Sequence, residues 1–260
     1  MKILFVGDVI GRPGRRMLLR RMEKIVADHR VDLCIVNCEN AAAGFGVTAS
    51  IADELFSRGA HVLTSGNHIW DKRDIYDYLE SKPNLLRPAN YPDGVPGKGL
   101  YVGSAAAGTK YAVLNFQGRV YMPAIDCPFR KADEMLNAID PAVKIRLADF
   151  HADATSEKMA FGAYLDGRVT AVVGTHTHVP TADARVLPGG TAYISDVGMT
   201  GPYDSVIGME KEGSIRRFLF GLPGRFEPAT RDVRISAVLI EADESTGLAA
   251  SIERYEERDE

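Results

Sequence analysis

Short apolar runs that stop on a carboxylate, an amide or an imidazole constrain this chain more than any other feature. Ile3–Gly7 ends at Asp8, Leu33–Cys38 at Glu39 and Asn40, and Val62–Gly66 at Asn67 and His68. Val143–Phe150 ends at His151, and Ala171–Gly174 leads into His176 and His178. Runs this short and this apolar read as buried strands. The first three recur about every thirty residues with a helix-length segment between, the spacing of βαβ units and parallel strands. Sites in an open α/β sheet form outside the carboxyl ends of the strands. All five ends are therefore expected to deliver their polar groups to one edge.

The remaining pattern fills in the frame. Pro13 suits the first turn of a helix to about His29, with Met17, Leu18, Met22, Ile25 and Val26 as its inward stripe. Gly11–Gly14 before it reads as a tight loop beside Asp8. Thr48 is the expected N-cap of a helix through Leu55 and Phe56 that stops at Gly59, and a further helix spans about Lys72–Leu79. Pro88–Gly99 reads as a loop, and Leu100–Ser104 and Tyr111–Phe116 as a hairpin. A helix over about Arg130–Ile139, a strand at Val143–Asp149, a helix from Thr155 and a strand at Thr170–Gly174 follow. The last third reads as antiparallel, with Ala184–Leu187 against Thr191–Ser195 and a closing hairpin of Ile235–Glu241 and Ala249–Tyr255. The expected fold class is α/β: a layered α/β/β/α sandwich with a mixed sheet pair, in one domain over residues 1–260.

Composition excludes several function classes. Hydrophobic residues make up 45% and charged residues 25% of the chain, so a sizeable core is expected rather than disorder. A net charge of −4 gives no global attraction to nucleic acid, and no stable nucleic-acid complex is expected. No apolar run approaches the ~18 residues of a membrane span. Three cysteines without a CxxC pair fit a reduced, cytoplasmic protein, with Cys34 and Cys38 as core residues. A phosphate-binding P-loop string is absent, and Gly44-Phe-Gly46 lacks the third glycine of a dinucleotide fingerprint.

Taken singly, Gly7-Asp8 reads as a turn, Glu39-Asn40 as a cap, and Gly66-Asn67-His68 as another turn. The alternating histidines of Gly174-Thr-His-Thr-His178 are harder to explain by packing. His29 and His61 are expected to be structural. Arg12, Arg15 and Arg16 read as a solvated helix face. Asp196 reads either as a turn cap or as the partner of a ligating histidine, and Gly198–Gly201 as a loop near the site.

Together, Gly7-Asp8, Glu39-Asn40, Gly66-Asn67-His68, His151 and Gly174-Thr-His176-Thr-His178 resemble the ordered blocks of calcineurin-like metallophosphoesterases. The opening Gly7-Asp-Val-Ile-Gly-Arg-Pro-Gly14 and the later Ser195-Asp-Val-Gly-Met-Thr-Gly-Pro202 resemble the YmdB-like branch of bacterial phosphodiesterases. Two departures from the wider superfamily fit that branch. Ile10 stands where a histidine ligand is usual, and Glu39 stands where the bridging carboxylate is usually aspartate.

The resemblance implies two metal ions, iron or manganese, with zinc compatible with the donor types. It implies that Glu39 bridges them, that Asp8, Asn40 and His178 complete one, and that Asn67, His151 and His176 complete the other. His68 then faces the substrate as general acid. The implied reaction is hydrolysis of small phosphodiesters, 2′,3′- or 3′,5′-cyclic nucleotides among them, by a hydroxide held between the metals. Two divalent cations offset by two carboxylates and that hydroxide leave about one net positive charge, which suits an anionic substrate. Alternatives are a phosphomonoesterase on the same site, or a regulatory metal- and phosphate-binding protein with little turnover. The expected partner is a small nucleotide or phosphodiester, and a homo-oligomer is compatible with the sequence.

Overall fold

A computed structural model describes residues 1–224 and 226–259 of the chain. The amino-terminal half contains β1 (Lys2–Val6), β2 (Asp8–Val9), α1 (Gly11–His29), β3 (Leu33–Asn37), α2 (Ala49–Ser57), β4 (Val62–Thr64) and α3 (Ile75–Ser81). It continues through β5 (Leu100–Ser104), β6 (Lys110–Gln117), α4 (Pro128–Ala138) and β7 (Ile145–His151). The rest contains α5 (Thr155–Leu165), β8 (Ala171–Thr175), β9 (Arg185–Val186), β10 (Ala192–Ile194), β11 (Met199–Pro202), α6 (Lys211–Phe220), β12 (Val233–Ala242) and β13 (Ala249–Arg258).

Two mixed sheets form. One has the order β2-β11-β12-β1-β3-β4 with β13 added on β12, and the other runs β5-β6-β7-β8-β10-β9. Strand alternation explains how they stack. Ile3, Phe5, Leu33, Ile35 and Val62 point inward against Val113, Leu147, Val173 and Ile194 of the other sheet. The intervening Leu4, Val6, Cys34, Val36 and Leu63 pack with Met17, Leu18, Met22 and Leu55 of α1 and α2. On the far side, Leu114, Phe116 and Phe150 pack with Leu136 of α4 and Phe161 of α5. This is the α/β/β/α layering that the sequence predicts.

Several local expectations hold. Thr48 caps α2 by accepting from the Ile51 amide at 3.3 Å. Leu100–Ser104 and Lys110–Gln117 pair antiparallel, as do the last two strands. Cys34 and Cys38 are fully buried.

Others need correction. Gly11–Gly14 is not a loop but the first turn of α1. Gly11 donates its amide to the Asn40 carbonyl at 2.9 Å, which ties the helix start to the loop after β3. The helix expected from Lys72 begins only at Ile75, because a 3₁₀ turn at Ile69–Asp71 takes up the preceding chain. The last third is not simply antiparallel: β10 pairs with β9 antiparallel but joins β8 in parallel. The short β2 pairs in parallel with β11, and neither strand was expected. Nor was α6, whose apolar residues make no inward stripe and of which only Ser214 is buried.

Candidate metal centre

The carboxyl ends of β1, β3 and β4 in one sheet and of β7 and β8 in the other meet at one edge. The sheets are joined there by polar contacts rather than apolar ones. Asn37 Nδ2 donates to Asp149 Oδ2 at 3.0 Å, and the Ser65 amide donates to Asn115 Oδ1 at 2.9 Å. The sandwich thus stops being hydrophobic where the chemistry-bearing side chains begin.

Asp8, Glu39 and His151 are completely buried, with one ligating atom from each lying within 4.8 Å of the others. Glu39 Oε1 accepts the His68 amide at 2.6 Å, while Oε2 lies 2.9 Å from His151 Nε2. His151 Nε2 is also 2.9 Å from His176 Nδ1. On the other side of Asp8, His178 Nε2 is 3.9 Å from Asp8 Oδ1 and 3.1 Å from Asn40 Nδ2. The His176 amide donates to Asp8 Oδ2 at 3.2 Å. His176 and His178 take positive φ, 106° and 66°, a backbone strain that residues other than glycine accept mainly where the fold or a function demands it.

Protonation follows from burial. Removal from water raises the Asp8 carboxyl above its usual range and pushes Glu39 up to about 7. The same cause holds His151 down at about 3 and His176 at about 2, so both rings are neutral. The Glu39–His151 contact is therefore not an ion pair. Within this cluster two oxygens, Asp8 Oδ1 and Glu39 Oε2, are buried with no hydrogen-bond partner, as is Asn67 Oδ1 in the loop after β4. Such orphaned acceptors are costly unless something positive meets them. A buried set of carboxylate and amide oxygens with neutral imidazoles fits divalent cations, and it contains no thiolate.

Two of the imidazoles are held by their second nitrogen. Thr175 Oγ1 donates to Asp149 Oδ1 at 2.8 Å, so its lone pair receives His151 Nδ1 at 2.9 Å and leaves Nε2 unprotonated. His178 Nδ1 donates to the Ile207 carbonyl at 2.8 Å, which frees its Nε2 in the same way. His68 stands apart: its ring is half-exposed, Nδ1 contacts Asp71 Oδ2 at 2.9 Å, and Phe45 packs edge-on at 5.0 Å between ring centres. It lines an open cavity with Asn40, His176 and His178.

Sequence reasoning missed Asp149, Thr175, Asn37, Asp71 and Lys158. Asp149 is buried and burial raises it to about 8, but its place in mid-strand gives no local signal. Asp196 makes no hydrogen bond to an imidazole. Its carboxylate pairs with buried Lys158 at 2.7 Å and accepts the Thr177 and Gly198 amides at 3.0 and 2.8 Å. It thus fixes the backbone between the two histidines, which is the turn-capping alternative. Met199–Gly201 is strand rather than loop; it lies near the site, since Met199 of β11 pairs with Asp8, but it does not line the cavity. Arg15 pairs with Glu54 at 3.7 Å, and Arg12 and Arg16 line a separate groove with Arg20. His61 accepts the Cys34 amide at 3.0 Å and His29 packs on Tyr255, both structural roles.

The sequence profile of YmdB-like proteins matches residues 4–255. The chain belongs to the YmdB-like family. It is 51% identical to the 2′,3′-cyclic-nucleotide 2′-phosphodiesterase of Bacillus subtilis (strain 168) over 255 residues, 98% of this chain and 96% of that one. A solved hypothetical protein from Thermus thermophilus superposes with a TM-score of 0.94 at 42% identity, with both chains fully covered. A novel phosphatase from Mycoplasma pneumoniae superposes with a TM-score of 0.93 at 34% identity, over 99% of this chain and 93% of that one. This YmdB-like chain therefore shares the metallophosphoesterase fold. Among its described residues, no helix is long and apolar enough to cross a membrane.

Proposed function

We propose that this protein is a dinuclear metal-dependent phosphodiesterase acting on small phosphodiesters, with 2′,3′-cyclic nucleotides foremost. The observation that carries the reading is the pair of orphaned buried oxygens, Asp8 Oδ1 and Glu39 Oε2, among neutral imidazoles beneath a cavity that His68 lines. The likeness to the Bacillus subtilis phosphodiesterase supports the substrate class. Asp8, Asn40 and His178 would hold one cation, Asn67, His151 and His176 the other, with Glu39 shared between them. The donors suit iron, manganese or zinc, with iron or manganese favoured by the family resemblance. Cations there supply the Lewis acidity that binds phosphoryl oxygens and lowers the pKa of water toward neutrality.

The chain's own part is to orient and to move a proton. Asp71 fixes one nitrogen of the His68 ring, leaving Nε2 to exchange a proton with the substrate. As the phosphorus–oxygen bond breaks, that nitrogen protonates the departing sugar oxygen. Buried reduced thiols at Cys34 and Cys38, with burial pushing Cys34 up to about 12, fit a cytoplasmic setting.

The test is His68→Ala with metal analysis and hydrolysis of bis(p-nitrophenyl) phosphate. The variant is expected to keep two equivalents of metal and to lose about 10²–10⁴-fold in kcat. An undiminished rate removes His68 as the acid, and a wild-type protein that binds no metal removes the proposal. A higher rate on p-nitrophenyl phosphate than on the diester would favour a monoesterase.

A further inference from the structure

The cavity over the metal centre measures about 570 Å³, in the range of small-molecule sites, and its two walls are unlike. The reaction described above uses only the polar wall of His68, Asn40, His176 and His178. Another part of the lining comes from α6 and the chain just after it, with Arg217, Phe218 and Phe226. Arg217 lays its guanidinium over the Phe226 ring, 5.1 Å from the centroid. Phe218 is 85% exposed, and α6 buries none of its aromatic residues in the core. The stack ties the chain after α6 back onto the helix, but no core contact accounts for Phe218, and all three groups line the one cavity. Phe45 also lines the cavity and packs against the His68 ring, so the apolar surface begins beside the group assigned to the leaving sugar oxygen.

We propose that Arg217, Phe218 and Phe226 form the wall that receives the nucleobase of a nucleotide substrate, an inference that rests on the phosphodiesterase reading of the site. Every base presents a π-face that stacks on aromatic rings, and a guanidinium plane stacks equally well. A phosphate at the polar wall with its sugar beside His68 directs the base toward α6. The wall selects nucleotides over diesters that carry no base, and it tolerates different bases because stacking reads no hydrogen-bond pattern.

The test compares kcat/KM for 2′,3′-cyclic AMP and glycerol 1,2-cyclic phosphate in the metal-loaded wild type, Phe218→Ala, Phe226→Leu and Arg217→Ala. It is joined to calorimetric binding of 3′-AMP and of inorganic phosphate. The wild type is expected to prefer the nucleotide at least tenfold. Each variant is expected to lose about ten- to a hundredfold more on the nucleotide than on the base-free diester. Binding of 3′-AMP is expected to weaken at least tenfold more than binding of phosphate. Phe226→Leu keeps the apolar volume and Phe218 is solvent-exposed, so a folded protein is expected from both. Equal wild-type rates on the two diesters, or parallel losses on both in the variants, overturn the proposal. Base-dependent binding that the three substitutions weaken, without hydrolysis of either diester, keeps the wall and removes the hydrolytic reading instead.

Discussion

Thr175 shows how a single hydroxyl controls a proposed metal ligand. It donates to Asp149 and therefore presents a lone pair to His151, which sets the imidazole tautomer through a neutral hydroxyl, the nearest carboxylate oxygen to that nitrogen being Asp8 Oδ1 at 4.0 Å. Asn37 holds the other Asp149 oxygen and completes the chain across the two sheets. Thr175→Val removes the hydroxyl while nearly keeping the volume, and leaves His151 Nδ1 without its acceptor. Metal affinity is expected to fall about 10–100-fold, with activity recovering at saturating metal. A metal titration of activity reads this directly, and an unchanged midpoint would assign Thr175 to packing alone. Neither Thr175 nor Asp149 was legible in the sequence. A threonine and an aspartate inside apolar strands look like minor irregularities until the strands are placed side by side.

Among the elements, the strand-to-loop junctions position the donors, and close backbone packing there leaves no room for extra atoms. Gly66 lies just beyond β4, and a Cβ on it would sit 2.0 Å from Glu39 Oε2 and 2.1 Å from His151 Cδ2. Gly66→Ala is expected to fold, since the clash lies at the site rather than in any of the three apolar clusters, but to displace Glu39 and lose metal. Circular dichroism together with metal content checks it, and full occupancy in a folded variant refutes it. Gly174 is similarly confined, with a Cβ falling 1.8 Å from the Ser195 carbonyl oxygen. Strands with strong apolar runs and helices with clear stripes, such as β3 and α1, were readable because their signals are local. The pairs β2–β11 and β8–β10 were not, because each includes a strand of only two or three residues, and the partner of β2 is also distant in the chain. The exposed face of α6 gave no amphipathic signal for a related reason: Phe218 faces a cavity rather than the core.

Over the whole molecule, burying carboxylates without compensating cations couples metal, pH and stability. In the metal-free protein, Glu39 is raised to about 7 and Asp149 to about 8, against unfolded values near 4. Their folded forms hold protons more tightly, so their stabilising contribution is complete below about pH 4. It is lost as pH rises through 7 and 8. The metal-free Tm is expected to fall between about pH 6 and 8.5. Metal requires deprotonated carboxylates, so the stabilisation it confers is expected to grow over the same interval. At a hundred times Kd it amounts to about 2.7 kcal/mol, roughly 5–10 °C in a chain of this size. Thermal melts with and without metal at three pH values test this, and parallel curves would contradict it. By itself, the sequence determined the alternation of strands and helices, the layered class, and the eight polar residues offered at five strand ends. Hydrophobic periodicity and residue type are local properties, so one chain suffices to read them. Only the tertiary structure decided which donors meet, Glu39 with His151 and Asp8 with His178. It alone brought Asn37, Asp149 and Thr175 into one network and placed α6 over the cavity. The contacts of Glu39 with His151, Asp8 with His178 and Asn37 with Asp149 each join residues more than a hundred positions apart. They exist only once two sheets have packed face to face.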